Sequence, residues 1–193
     1  MIAKRLESQR LILEPLRVEH AQEMVAVLDD QTLHTFTGGE PDTADELRRR
    51  YQRQVVGRSS DGTETWLNWV LRRCDNGAAV GLVQATVTGP ADQLRAEVAW
   101  VVGTAQQHQG FAREAARVVV DWLREQGAAV IVAHVHPDHR AFGCANTPNA
   151  SRGSIGRTLA VPPIRPPVHA DRTRVSRPRA AADHRRNLAS RRA

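Results

Sequence analysis

The chain has 193 residues, 41% of them hydrophobic, and no run nears the roughly 18 apolar residues a membrane span requires. Its net charge of +6 is unevenly held: residues 1–140 carry 16 basic and 19 acidic side chains, net −3, while residues 141–193 carry 11 Arg and two Asp, net +9. That split excludes a uniformly basic nucleic-acid-binding domain, and Cys74 and Cys144 are too few for a disulfide framework.

Met1-Ile-Ala-Lys-Arg-Leu-Glu7 has charges where a signal peptide needs an apolar stretch, so a cytoplasmic location with reduced thiols and no membrane partner is expected. Arg10–Leu16 is a short apolar run suited to an early strand. Val18, Ala21, Val25 and Leu28 recur at helical spacing. Residues 29–40 read as a loop, and Asp42 with Asp45 resembles the capped start of a second helix that continues through Leu47, Tyr51 and Val55. Trp66–Arg73 and Ala79–Thr88 are strand-like, and Asp75-Asn76-Gly77 between them predicts a hairpin. Residues 95–102 form a further strand, with Ala96, Val98 and Trp100 on one side and Glu97, Ala99 and Val101 on the other. Residues 111–126 form a helix that Gly127 stops, and the apolar run 128–135 is expected to be a strand buried on both faces. The order is strand, two helices, three strands, helix, strand, an α+β pattern with a mixed sheet.

After residue 140 this grammar ends. Residues 141–193 hold six of the ten prolines, and their apolar residues follow no period of two or 3.6. Pro162-Pro163 and Pro166-Pro167 forbid a helix or a central strand there. The expected organisation is a globular domain over 1–140 and a disordered Arg/Pro-rich tail over 141–193.

The segment from Trp100 to Arg113 carries the chemistry. It runs from a strand through a loop into a helix, with the spacing Gln107-x-x-Gly110-x-Ala112. The first N–H groups of such a helix have no intrahelical partners and point outward, and the helix dipole favours an anion there. Gly110 and Ala112 keep side chains away from a close ligand, and His108 and Arg113 can add positive charge. An ordinary strand-to-helix turn would carry the same single glycine.

This loop resembles the acyl-CoA-binding loop of the GNAT N-acetyltransferases, which follow a Q/R-x-x-G-x-G/A pattern. Glu7-Ser-Gln-Arg-Leu-Ile-Leu-Glu-Pro-Leu16 is similar to the opening of the ribosomal-protein alanine acetyltransferase (RimJ/RimL-like) branch. The resemblance covers residues 5–141. It implies a mixed, mostly antiparallel sheet flanked by helices, and acetyl-CoA as co-substrate lying between splayed strands 95–102 and 128–135. Pyrophosphate would rest on the amides of Gln107, His108, Gln109, Gly110, Phe111 and Ala112, with Arg113 also binding the cofactor. A backbone amide near Val101 or Val102 would face the thioester oxygen.

The reaction implied is acetyl transfer to a primary amine, on a protein N-terminus or a small molecule. Because an alkyl ammonium has a pKa of about 10, a base must take its proton. Glu97 matches the family's acidic position; alternatively it is a solvated strand residue paired with Arg95 or Arg72. His34, Phe36, Trp66 and Asn68 lie where the family places its acceptor pocket, although core packing also explains Trp66 and Trp69. His134, His136 and His139 invite a metal reading, but three or four converging ligands are required and the chain offers no other donor cluster. No metal is expected, and Asp138 reads as a helix N-cap.

After Ala141 the match breaks. Phe142 stands where a small polar residue is expected, Gly143–Pro148 cannot form the expected helix, and no general acid is evident. The C-terminal helix and last strands are therefore expected to be missing, consistent with a reading frame shifted from about codon 141 and with impaired activity. Strand 128–135 would then expose apolar surface and invite a homodimer. The alternative functions are a non-catalytic acyl-CoA-binding domain and a ribosome-associated protein acting through its Arg tail. The tail has one aromatic and no recognisable module, so nucleic acid is not the expected partner.

Overall fold

The computed structural model describes residues 1–34 and 40–133, apart from the side chain of His34. Phe36, the His134–His139 segment, and the whole of 141–193 with its expected disorder and missing elements lie outside the described residues. So does the end of strand 128–135.

Six strands form one sheet in chain order: β1 (Leu6–Glu7), β2 (Leu11–Pro15), β3 (Thr65–Arg73), β4 (Ala79–Thr88), β5 (Leu94–Val102) and β6 (Ala128–Ala133). Every neighbouring pair is antiparallel except β5 and β6, which run parallel and are joined by helix α3 (Phe111–Glu125). This is the expected mixed α+β order. Helices α1 (Ala21–Leu28) and α2 (Ala44–Gln54) fall between β2 and β3. Among the described residues no helix is long and apolar enough to cross a membrane.

The β3–β4 hairpin forms where predicted. Asn76 Oδ1 accepts from Ala78 N at 3.0 Å, and Gly77 takes φ +72°, a left-handed conformation that suits glycine. The start of α2 departs from expectation. Thr43, not Asp42, is the N-cap: its hydroxyl accepts from Glu46 N while Glu46 accepts from Thr43 N, and Asp42 instead pairs with Arg50. The residue three before a Glu wins because both caps close reciprocally.

Strand alternation gives the sheet two faces. On one, Leu67, Trp69, Val83, Ala85, Ala96 and Val98 pack against Phe111, Ala115, Val119 and Leu123 of α3. Trp69 is fully buried, lies edge-on to Trp122 with centroids 5.7 Å apart, and donates to Lys4 O at 2.7 Å. On the other, Val70 and Leu82 meet Ala21, Met24, Leu47 and Tyr51 of α1 and α2. The expectation that β6 is buried on both faces fails in its first half. Ala128 and Val132 are buried, but Ala129 and Val130 are exposed, and among the described residues β6 pairs only with β5.

A charged network ties the second face together. Arg72 donates to Glu14 Oε2 at 2.6 Å and also binds Glu23, while Arg17 pairs with the second oxygen of Glu14 at 2.6 Å. The hydrogen bond from Arg72, with the nearby Arg17 charge, holds the Glu14 carboxyl below its ordinary range despite its burial. His20 is buried against Glu14, 3.6 Å away, and burial pushes its pKa down.

Candidate active site

The antiparallel ladder fixes which backbone groups of β5 face outward. Gly103 N donates to Val80 O at 2.9 Å, and the register pairs Gly81 with Val102 and Leu82 with Val101. Hydrogen-bonded pairs alternate every second residue in such a ladder. The amide of Val101 is therefore turned toward Leu82, and the amide and carbonyl of Val102 toward the β6 side. Consistent with this, Gln107 Nε2 reaches back to donate to Val102 O at 3.1 Å. Of the two expected positions, Val102 presents a backbone amide to the β6 side, and Val101 contributes a side chain to the opposite sheet face.

Two glycines let the backbone close up here. A Cβ on Gly81 would collide with the carbonyl of Val101, and one on Gly103 would stand 2.8 Å from Val27 O in α1. The chain then makes a short 3-10 turn (Thr104–Gln106) and reaches Gly110 at φ +83°, the N-cap of α3. Among the described residues no side chain caps this helix. The N–H groups of Phe111, Ala112 and Arg113 therefore keep the outward donor character of an open helix start. His108 also takes a left-handed φ of +61° and is exposed, as are Gln109 and Arg113. Phe111 departs from a simple binding-loop reading: its ring is buried in the core under Arg10 at 4.8 Å, so only its backbone faces the loop. Ala112 is half-buried.

A clamp holds the loop in place. Arg10 donates from its backbone N to Glu114 Oε1 at 2.9 Å and from Nε to Oε2 at 2.8 Å, and its guanidinium reaches Gln109 O at 3.0 Å. Ser8 adds a 2.7 Å bond to Glu114. Burial pushes the Glu114 carboxyl upward, but the bonds from Ser8 and Arg10 outweigh it and leave the pKa lowered. Glu114 is thus neutralised in the first turn of α3, where its free charge would repel an anion. Sequence reasoning missed this clamp because its partners lie 104 residues apart; an acid in a first helical turn reads as an ordinary dipole complement. Near the loop, Gln106 Oε1 is buried with no partner among the described residues. An uncapped helix start, a left-handed glycine and an orphan acceptor together fit a ligand with phosphates and amide groups.

The acceptor-side residues separate. Glu97 sits in register between Thr86 of β4 and Val132 of β6, on the sheet face it shares with Trp66 and Asn68. It lies five residues from Val102, about 17 Å along the strand. Arg72, offered as a partner for Glu97, is committed to Glu14 and Glu23. Asn68 is in register with Gln84, and Gln84 with Ala99. Trp66 is half-buried and donates to Glu64 at 2.8 Å, away from the small cleft that Asn68 lines with Tyr51 and Gln84. His34 ends a 3-10 turn (Gln31–His34). Among the described residues no group of His, Cys, Asp and Glu could hold a metal.

Comparison with known proteins gives concordant results. The sequence model of the acetyltransferase (GNAT) domain matches residues 10–145. The fold is similar to a GNAT-family acetyltransferase from Bacillus anthracis at 14% identity and TM-score 0.58, covering 71% of this chain and 76% of that one. It is also similar to the Salmonella typhimurium acetyltransferase that modifies the N-terminal serine of ribosomal protein L7/L12, at 15% identity and TM-score 0.55, covering 67% and 74%. A third likeness is to RimL, the ribosomal L7/L12 alpha-N-protein acetyltransferase, in complex with coenzyme A, at 16% identity and TM-score 0.59, covering 72% and 78%. No curated protein sequence matches the chain significantly.

Proposed function

The chain belongs to the GNAT acetyltransferase family, and from that membership we propose how its own residues divide the work of moving an acetyl group from acetyl-CoA to a primary amine. The observation that carries the reading is the β5–loop–α3 unit, with Val102 turned away from β4, Gln107 bracing it, and an uncapped helix start behind a left-handed Gly110. The amides of residues 108–113 hold the pyrophosphate, with His108 and Arg113 adding charge at its edge. Arg10 keeps that loop seated and cancels Glu114.

The Val102 N–H donates to the thioester oxygen as negative charge grows on it, which lowers the barrier to attack. The amine nitrogen forms its bond to the carbonyl carbon, the C–S bond breaks, and the CoA thiolate leaves, taking up the proton that the acylated nitrogen sheds. Glu97 takes the proton of the incoming ammonium. At its distance along the strand, beyond the reach of a single bridging water, it does so through a chain of waters. Asn68, on the sheet face it shares with Trp66, borders the acceptor. That acceptor is a protein N-terminus or a small amine. Residues 146–193 lie beyond the stretch that matches the family, and turnover is reduced accordingly. A homodimer through the β6 edge belongs to the same reading.

The test is direct. Acetyl-CoA should raise the melting temperature of the full chain, and free thiol should appear when an amine panel is added. Stabilisation without thiol release for any amine would leave a non-catalytic acyl-CoA-binding protein. No stabilisation at all would sink the site assignment.

A further inference from the structure

The stretch between β5 and α3 is held at both of its ends, by different parts of the fold. At the α3 end the holder is Arg10, through its bonds to Glu114 and to Gln109 O. At the β5 end it is the segment that follows α1. The Asp30 carboxylate stands at the start of the 3-10 turn Gln31–His34, accepting from Thr32 N at 2.8 Å and from the Thr32 hydroxyl at 2.6 Å. It also accepts from the hydroxyl of Thr104, the first residue of the turn that leaves β5. The two threonine hydroxyls stand 3.4 Å apart and converge on one carboxylate, although they are 72 positions apart in the chain. These bonds, those from the Thr32 side chain foremost, keep the Asp30 carboxyl below its ordinary range.

A second contact fixes the same junction. Gly103 lies so close to α1 that an added Cβ would stand 2.8 Å from Val27 O. Gly103 N donates to Val80 O at 2.9 Å, and Gln107 Nε2 donates to Val102 O at 3.1 Å. The end of β5 is thus pinned from β4, from α1 and from the loop itself. Thr32 and Thr104 are both exposed, and water would serve their hydroxyls nearly as well as a carboxylate, so the clasp adds little stability. What it adds is a fixed position, which lowers the ordering that a ligand must otherwise impose. Thr104 is two residues from Val102, whereas Arg10 grips the residues around Gly110.

We propose that Asp30, Thr32 and Thr104 form a clasp that positions the thioester end of acetyl-CoA by fixing the turn after Val102, while Arg10 serves the pyrophosphate end. The inference rests on the acetyltransferase reading and adds to it three positioning residues, which act through Val102 and do not touch the cofactor.

Calorimetric titration of the full chain tests this with two ligands. One is acetyl-CoA, and the other is adenosine 3′-phosphate 5′-diphosphate, which keeps the phosphates and lacks the pantetheine arm. Thr104→Val removes the hydroxyl at nearly constant shape. It should raise the Kd of acetyl-CoA roughly three- to tenfold, the worth of one neutral hydrogen bond, and leave that of the nucleotide unchanged. Thr32→Val opens the clasp from the other side and should reproduce the split. Thr104→Ser restores a hydroxyl and should abolish it. Arg10→Ala should weaken both ligands alike. Equal losses for the two ligands in a folded valine variant would overturn the proposal, since a contact that merely braces the fold acts on the whole loop. Unchanged acetyl-CoA affinity in that variant would overturn it too, as would a serine variant that behaves like valine. A parent chain that binds acetyl-CoA but not the nucleotide would reject the division between two anchors. If the parent binds neither ligand, the acetyltransferase reading itself falls, and the clasp with it.

Discussion

Gly110 and Gly77 provide a matched pair for testing the anion loop. Both sit in the left-handed region, at φ +83° and +72°. Neither faces a steric obstacle among the described residues: an added Cβ meets only Arg10 Nη2 at 3.5 Å in the first case and nothing within 4 Å in the second. The strain of putting an Ala side chain at positive φ is about 1–2 kcal/mol at either site. For a domain of this size that lowers the melting temperature by roughly 3–10 °C. The two substitutions differ in what relaxation would disturb. Gly77 closes the β3–β4 hairpin, far along the chain from the loop. At Gly110, φ can relax only by rotating the peptide that presents the Phe111 N–H, the first donor of α3. Losing one charge-assisted bond to phosphate costs about 1.5–3 kcal/mol, or roughly 10- to 150-fold in affinity. Calorimetric titration of acetyl-CoA, alongside thermal melts, is the assay. Gly77→Ala and Gly110→Ala should melt within a few degrees of each other, while only Gly110→Ala loses affinity at least tenfold. Equal affinity in the two variants would refute the assignment of the loop as the phosphate site.

Further outcomes follow from other residues. Glu97→Gln should lower kcat on the order of 100-fold while leaving the Kd of acetyl-CoA intact, because only proton removal is lost; unchanged kcat would return Glu97 to a structural role. Gly81→Ala pushes a methyl into the Val101 carbonyl, and backbone overpacking of this kind costs about 1–3 kcal/mol; a melting temperature within 1 °C of the parent would contradict the close approach of β4 and β5. His20 has a folded pKa below its ordinary 6.5 because it is buried, so the unfolded chain binds the extra proton first. Its contribution is fully present above pH 6.5 and lost as pH falls toward the folded pKa. The urea midpoint should therefore drop between pH 7.5 and 5.5, and His20→Gln should flatten that slope; an equally steep slope in the variant would assign the acid sensitivity elsewhere.

Much of this protein is local in origin and therefore legible in the sequence. Asp75-Asn76-Gly77 makes its turn by bonds within four residues, and β3 and β4 follow from alternation. The Gln107–Gly110–Ala112 loop announces itself because a strand, a left-handed glycine and an amphipathic helix are all short-range features. Even the face on which Glu97 lies is given by a period of two. What remained hidden depends on partners far apart in the chain. The direction of the Val102 amide comes from the phase of the β4 ladder, set by Gly103 against Val80. The seat of the phosphate loop comes from Arg10 and Ser8 meeting Glu114 across more than 100 residues. Tyr51, which the helical period assigns to the core, is indeed buried, but only the packing of α2 against the sheet leaves its hydroxyl without a partner among the described residues. Composition and periodicity determine which elements form and which face of each is apolar, because those are properties of neighbouring residues. Which polar atoms converge, and which are left waiting for a ligand, is decided only when the sheet and helices close on one another, since every one of those contacts joins residues that the chain itself keeps apart.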